Sequence, residues 1–163
     1  MFEFAGLKFI INDGCIYLQD FCNFKGAAKT PFVEVQICGE NKDTHLGAKM
    51  VNSSEGKRLQ YVSHKQVDNR LEIVQRSPLI EAKTTFISYM GTSSLRICTE
   101  IKNISSKKIV LEEVSTFVAP MLGDNTVENS KNLHYYKFLQ SHHAECQPRK
   151  QSFYDYGLHR GNI

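Results

Sequence analysis

The chain has 163 residues, a formal net charge of +3, 41% hydrophobic and 23% charged residues. That is enough for one domain with a buried core, read over 1–163, and it excludes a disordered or collagenous chain. The basic residues are dispersed, with Lys107-Lys108 and Arg149-Lys150 the densest clusters, so no nucleic-acid partner is expected, because such a surface concentrates its charge.

Five cysteines, Cys15, Cys22, Cys38, Cys98 and Cys146, are odd in number and lack a Cys-x-x-Cys pair. They form neither a disulfide framework nor a zinc ribbon. Met1 to Phe4 has no basic start and no long apolar run follows. No secretory signal or membrane span is expected, and the cytoplasm is the default location. Asn103-Ile104-Ser105 is formally a glycosylation sequon, read here as a polar turn.

In chain order, Lys8 to Ile11 and Ile16 to Phe21 flank Asn12-Asp13-Gly14, and an Asp-Gly turn between apolar runs predicts a β-hairpin. After Pro31, Val33, Val35 and Ile37 alternate with Glu34, Gln36 and Cys38, the period of a strand with one buried face. That strand runs into Gly39 to His45, which has no apolar residue, and Val51 to Gly56 prolongs the irregular stretch. Long loops in compact domains are usually functional or disordered, and the carboxylates and histidine favour function here.

From Leu59 to Phe117 the pattern predicts strands only. Leu59, Tyr61 and Val62 open one strand, 63–69 form a bend, and Leu71, Ile73 and Val74 lie in the next. Ala82, Thr84, Phe86 and Ser88 share one face of a third, and Leu95, Ile97, Thr99 and Ile101 one face of a fourth. Ile109 and Leu111 sit at odd positions, Val114, Thr116 and Val118 at even ones, which predicts a β-bulge around Glu112-Glu113. Pro120 ends that strand, 123–131 reads as a surface loop, and Leu133 to Leu139 as another strand, with a helix through Leu133, Tyr136 and Gln140 as the alternative. The tail 153–158 has the signature of a short helical turn ending at Gly157. Eight to ten strands between turn signals predict an all-β fold, an antiparallel sandwich or barrel.

The order Gly39, Glu40, Asn41, Asp43, His45, Gly47, Ala48, Lys49 resembles the N-terminal domain of bacterial α-galactosidases of glycoside hydrolase family 36. Arg58-Leu59-Gln60-Tyr61-Val62, Leu71 to Arg76, Thr99 to Asn103, Glu113 to Phe117, Ala144-Glu145-x-Gln147 and Gly157-Leu158 follow in the family's order, so the likeness spans roughly 32–158. It implies a large β-sandwich related to galactose mutarotase (a supersandwich), incomplete at its C-terminal end. It also implies a non-catalytic role in assembly and substrate access for an enzyme that hydrolyses terminal α-galactosides such as melibiose and raffinose. Tryptophans usual in the family around His142-His143 and after Gln147 are missing.

Glycoside hydrolysis needs two flanking carboxyl groups, which the family keeps as aspartates of a (β/α) barrel. Nothing in this chain matches that barrel, so no catalytic residue is assigned and the chain alone is expected to be inactive. Glu40, Asn41, Asp43 and His45 are the candidate substrate-binding residues, since carboxylates and amides offer several hydrogen bonds to sugar hydroxyls at short reach. The competing reading has Asn41 and Asp43 bonding the loop's own backbone. An α-galactoside or galactose is a partner only where a barrel is present, a homo-oligomer is expected, and no cofactor or metal is assigned. His142-His143 face opposite ways on a strand and read as surface or packing residues, as do His64 and His159; spacing alone leaves a Cys-His nucleophile open. The alternatives are a stand-alone carbohydrate-binding module and a mutarotase-like epimerase, the latter requiring a histidine and a glutamate converging in a cleft.

Overall fold

The computed structural model describes residues 1–21, 24–25, 31–40, 54–119, 127–139 and 147–155. The chain divides into two compact units, residues 1–120 and 121–163. Among the described residues the architecture is all-β and sandwich-like, with four antiparallel sheets and two short helices.

In the first unit, β1 (Phe2–Phe4), β2 (Leu7–Asn12), β3 (Cys15–Phe21) and β4 (Phe24–Lys25) form one sheet in chain order. The expected hairpin is present: Asn12 pairs with Cys15, and the two turn residues Asp13 and Gly14 have φ of 51° and 77°. Two successive left-handed residues give the turn whose twist matches the flanking strands, and that requirement is why Asp-Gly occurs here. Gly14 is further constrained because a Cβ there would run into the side-chain amide of Gln60. A preceding tight turn at Ala5-Gly6, with φ of 46° and 83°, folds β1 onto β2. The sequence pattern had no strand there, since Phe2-Glu3-Phe4 is too short to show a period.

The strands β6 (Gln60–Val67), β7 (Arg70–Arg76), β8 (Ile80–Ser88) and β9 (Leu95–Asn103) form a second meander. The bend expected over 63–69 is instead mostly strand. A register shift between Tyr61 and Ser63 lets β6 continue to Val67, and the reversal falls on Asp68-Asn69, with Asp68 at φ 49°. Because β6 is nearly all exposed, hydrophobic alternation could not mark it.

The organising strand is β5 (Glu34–Ile37), which pairs antiparallel with β10 (Leu111–Ser115). The expected bulge is found, as the register shifts between Leu111 and Glu113. The one-sided burial expected of β5 is not found: Glu34 and Gln36 are as buried as Val35 and Ile37. Gln36 is satisfied there by donating its Nε2 to the backbone oxygens of Glu40 (2.7 Å) and Ile37 (3.3 Å), which meets the requirement that a buried amide be paired.

Alternate residues of these strands make a single core. Leu7, Phe9, Ile16 and Leu18 come from the first sheet, Leu71, Ile73, Ala82 and Phe86 from the second, with Phe32, Val33 and Val35 beside them. The centre is aromatic. Phe9 meets Phe32 and Phe86 edge-on, with centroids 5.6 and 5.5 Å away, and Phe117 meets Phe86 edge-on at 5.9 Å, the geometry that the ring quadrupoles favour.

The second unit contains α2 (Val127–Asn132), β11 (His134–Leu139) and β12 (Gln147–Ser152). The strand reading of 133–139 holds over its helical alternative, and β11 pairs with β12 from His134↔Ser152 to Leu139↔Gln147. Part of the expected loop 123–131 is the helix α2, held by backbone bonds from Tyr154 to Ser130 (3.0 Å) and from Phe153 to Leu133 (2.9 Å). Residues 153–155 form a turn, and 156–158, where the tail was expected to close helically, lie outside the described residues.

Candidate functional site

Gly39, with φ of 86°, turns the chain as it leaves β5. The Glu40 amide then bonds to the Ile37 carbonyl at 3.1 Å, while Gln36 holds the Glu40 carbonyl from beneath. The backbone of the first candidate residue is thereby held at both its amide and its carbonyl.

Its partner comes from the far side of the polar stretch. Helix α1 (Ser54–Arg58) occupies a segment expected to be irregular, and Arg58 Nη1 donates to Glu40 Oε1 at 2.6 Å and to Glu55 Oε2 at 3.2 Å. Glu55 and Arg58 stand three apart on the helix, the spacing at which side chains meet. The Glu55 side chain is fully buried, whereas that of Arg58 is 53% exposed. Ser77 completes the chain of contacts by donating its hydroxyl to Glu55 Oε1 and accepting the Leu79 and Ile80 amides at 3.1 and 3.0 Å. The hydrogen bond to Glu40 is the main cause that raises the Arg58 guanidinium above its ordinary value.

The consequence is a clamp. Glu40 precedes residues 41–53 and Arg58 follows them, and one ion pair ties the two ends together. Glu40 spends Oε1 on Arg58, and among the described residues its buried Oε2 has no partner. The structure therefore gives Glu40 an anchoring position. The other three candidates, Asn41, Asp43 and His45, lie outside the described residues.

Glu55, Arg58 and Ser77 were not singled out as site residues from the sequence. A Glu-x-x-Arg spacing just before Leu59 was the available signal, masked by the turn-forming Ser53-Ser54 and Gly56 around it.

His64 stacks on Phe2 with centroids 3.8 Å apart and shares a 2.7 Å hydrogen bond with the Tyr61 hydroxyl. Cys15, Cys38 and Cys98 are free thiols. No group of three or more histidine, cysteine, aspartate or glutamate side chains converges among the described residues, and His142, His143 and Cys146 lie outside them. No helix among the described residues is long and apolar enough to cross a membrane.

Fold and site together define an all-β, sandwich-like chain in which an ion pair joins Glu40, just past the end of a buried strand, to Arg58 at the end of helix α1. Comparison with protein-family models, with curated proteins and with solved structures finds no match to this chain.

Proposed function

We propose that the chain is a non-catalytic β-sandwich domain of an α-galactosidase-like glycoside hydrolase, serving assembly and substrate access, with the loop after Glu40 as its working element. The observation that carries this reading is the Glu40–Arg58 ion pair of 2.6 Å at the base of the loop whose residues bear the resemblance to family 36. A loop with fixed ends presents Asn41, Asp43 and His45 at lower entropic cost than one with free ends. The test is addition of the chain to a barrel-bearing homologue stripped of its own sandwich, read by sedimentation and by α-galactoside hydrolysis. Co-assembly with a rise in turnover is expected; no change in either overturns the proposal.

A second reading, binding of carbohydrate by the chain alone, is favoured by one feature. Tyr136 and Phe138 lie on one face of the β11–β12 hairpin, 55% and 66% exposed, with Lys150 5.8 Å from the Tyr136 ring centre. Aromatic faces of this kind suit the apolar side of a sugar ring. Calorimetry with galactose, melibiose and raffinose separates the readings: saturable binding supports the module, silence the assembly role. The same exposed rings offer a surface for self-association, which light scattering on Phe138→Ser against the parent chain tests; equal masses for the two dispose of that interface.

A further inference from the structure

The β11–β12 hairpin of the second unit has no dry face. Every side chain from His134 to Phe138 and from Gln147 to Gln151 is exposed, although three of them are large rings, with Tyr135, Tyr136 and Phe138 at 40%, 55% and 66%. A two-stranded ribbon alone is marginally stable in water. This one is held at its base, where the Phe153 amide donates to the Leu133 carbonyl (2.9 Å) and the Ser152 hydroxyl to Asp155 (2.6 Å). Its cations stand toward the other end.

Along the sequence the basic residues are dispersed, but strand pairing gathers them. Lys137 and Arg149, twelve positions apart, are direct cross-strand partners, and Lys150 is the partner of Tyr136, with its ammonium 5.8 Å from that ring's centre. Like charges directly opposite destabilise a strand pair. Among the described residues neither Lys137 nor Arg149 has an ion pair. Over 133–152 the sequence holds these three formal positive charges and one negative, Glu145, which lies outside the described residues. An anion relieves the facing cations, and an anion that carries flat apolar groups covers the rings as well.

Tyr136 and Phe138 lie two residues apart on one face of β11, a separation of about 6.8 Å along the strand. That is about twice the 3.4 Å rise of stacked bases, so the rings suit neighbouring bases of an extended single strand and not a duplex. Lys150 is on the face of the rings, Lys137 and Arg149 on the other. The two strands are only about 4.8 Å apart, so long side chains of both faces reach one phosphate backbone running along the edge. Exposed rings flanked by cations are how protein sheets take up single strands. We propose that the β11–β12 hairpin binds single-stranded nucleic acid, with successive bases on Tyr136 and Phe138 and phosphates on Lys137, Arg149 and Lys150. A neutral sugar would use the rings and leave the three cations unmatched. The loop after Glu40 takes no part.

The test is fluorescence anisotropy of labelled oligothymidylate and oligouridylate titrated with the intact chain, with the matching duplex, an oligogalacturonate and neutral raffinose as competitors. Saturable binding is expected, with log Kd rising against log salt at a slope of about 2, the value for three phosphate contacts on a single strand. Lys137→Ala/Arg149→Ala should lower that slope to about 0.7, with a melting temperature equal to or above the parent's because the facing like charges are gone. Phe138→Ala, also at an exposed position, should weaken binding about tenfold at an unchanged slope. Absence of binding at low salt, equal affinity for the duplex or the oligogalacturonate, or displacement by raffinose overturns the proposal. So does an unchanged slope in the double variant or unchanged affinity in Phe138→Ala.

Discussion

Replacing Arg58 with methionine removes the guanidinium that two carboxylates share while keeping much of its aliphatic stem. Breaking a buried pair by deleting one partner costs about 3–5 kcal/mol, because the remaining charge is stranded. Glu55 is such a remaining charge, with a side chain wholly out of solvent, but Arg58 is itself 53% exposed, and water screens the part of the interaction that reaches the surface. Ser77 also continues to donate to Glu55. The discounted expectation is a loss of about 1–2 kcal/mol. In urea, with a slope of about 2 kcal/mol per molar for a domain of this size, the midpoint falls by about 0.5–1 M. Glu55→Gln neutralises the stranded charge, so the double variant Arg58→Met/Glu55→Gln should be less destabilised than the sum of the singles. A midpoint for Arg58→Met within about 0.1 M of the parent, or strict additivity in the cycle, refutes the clamp as an energetic feature.

Three further predictions concern the fold itself. Phe86→Ala deletes a fully buried ring that touches Phe9, Phe32 and Phe117. It should cost about 3–5 kcal/mol, and a small loss in thermal or chemical denaturation would mean the aromatic centre is not as described. Ala5→Gly relieves a left-handed alanine at φ 46°; the steric relief of about 1–2 kcal/mol exceeds the added chain entropy, so the melting temperature should rise, and a fall contradicts the turn. Glu81 is held below its ordinary value of 4.5, first by its hydrogen bond from Arg76. A lowered carboxylate value means its contribution is complete above 4.5 and is lost as pH drops through the folded-state value. Glu81→Gln should therefore flatten the pH dependence of stability below about 4.5, measured by denaturant midpoints across that window; an unchanged slope contradicts the pairing.

How far the sequence could be read depended on where side-chain polarity carried the signal. Strands with one wet face, β8 and β9, were visible because Ala82, Thr84 and Phe86 are buried while Arg96, Cys98 and Glu100 are exposed. The Asp13-Gly14 hairpin and the bulge at Leu111–Glu113 were visible because turn chemistry and a parity change are local. The start of the wet edge strand β6 was marked by Leu59, Tyr61 and Val62, but its continuation from Ser63 to Val67 and the basic strand β12, with Pro148 inside it, were not visible: neither stretch has an apolar alternation. For β5 the alternation was real but misread in depth, because Glu34 and Gln36 are buried by tertiary packing, which no period reports. At the site, Glu40 was legible as a loop residue, but its partnership with Arg58 spans 18 positions, and only the fold brings those residues together.

The central proposal is that Glu40 and the residues that follow it serve a sugar pocket that another domain completes. The most direct measurement is α-galactoside hydrolysis by the sandwich-less homologue supplemented with this chain or with a loop variant carrying Asn41→Ala, Asp43→Ala and His45→Ala. The account predicts that the parent chain raises kcat/KM and that the variant assembles equally well without raising it. An equal rise with both chains, or hydrolysis by the chain alone, contradicts it.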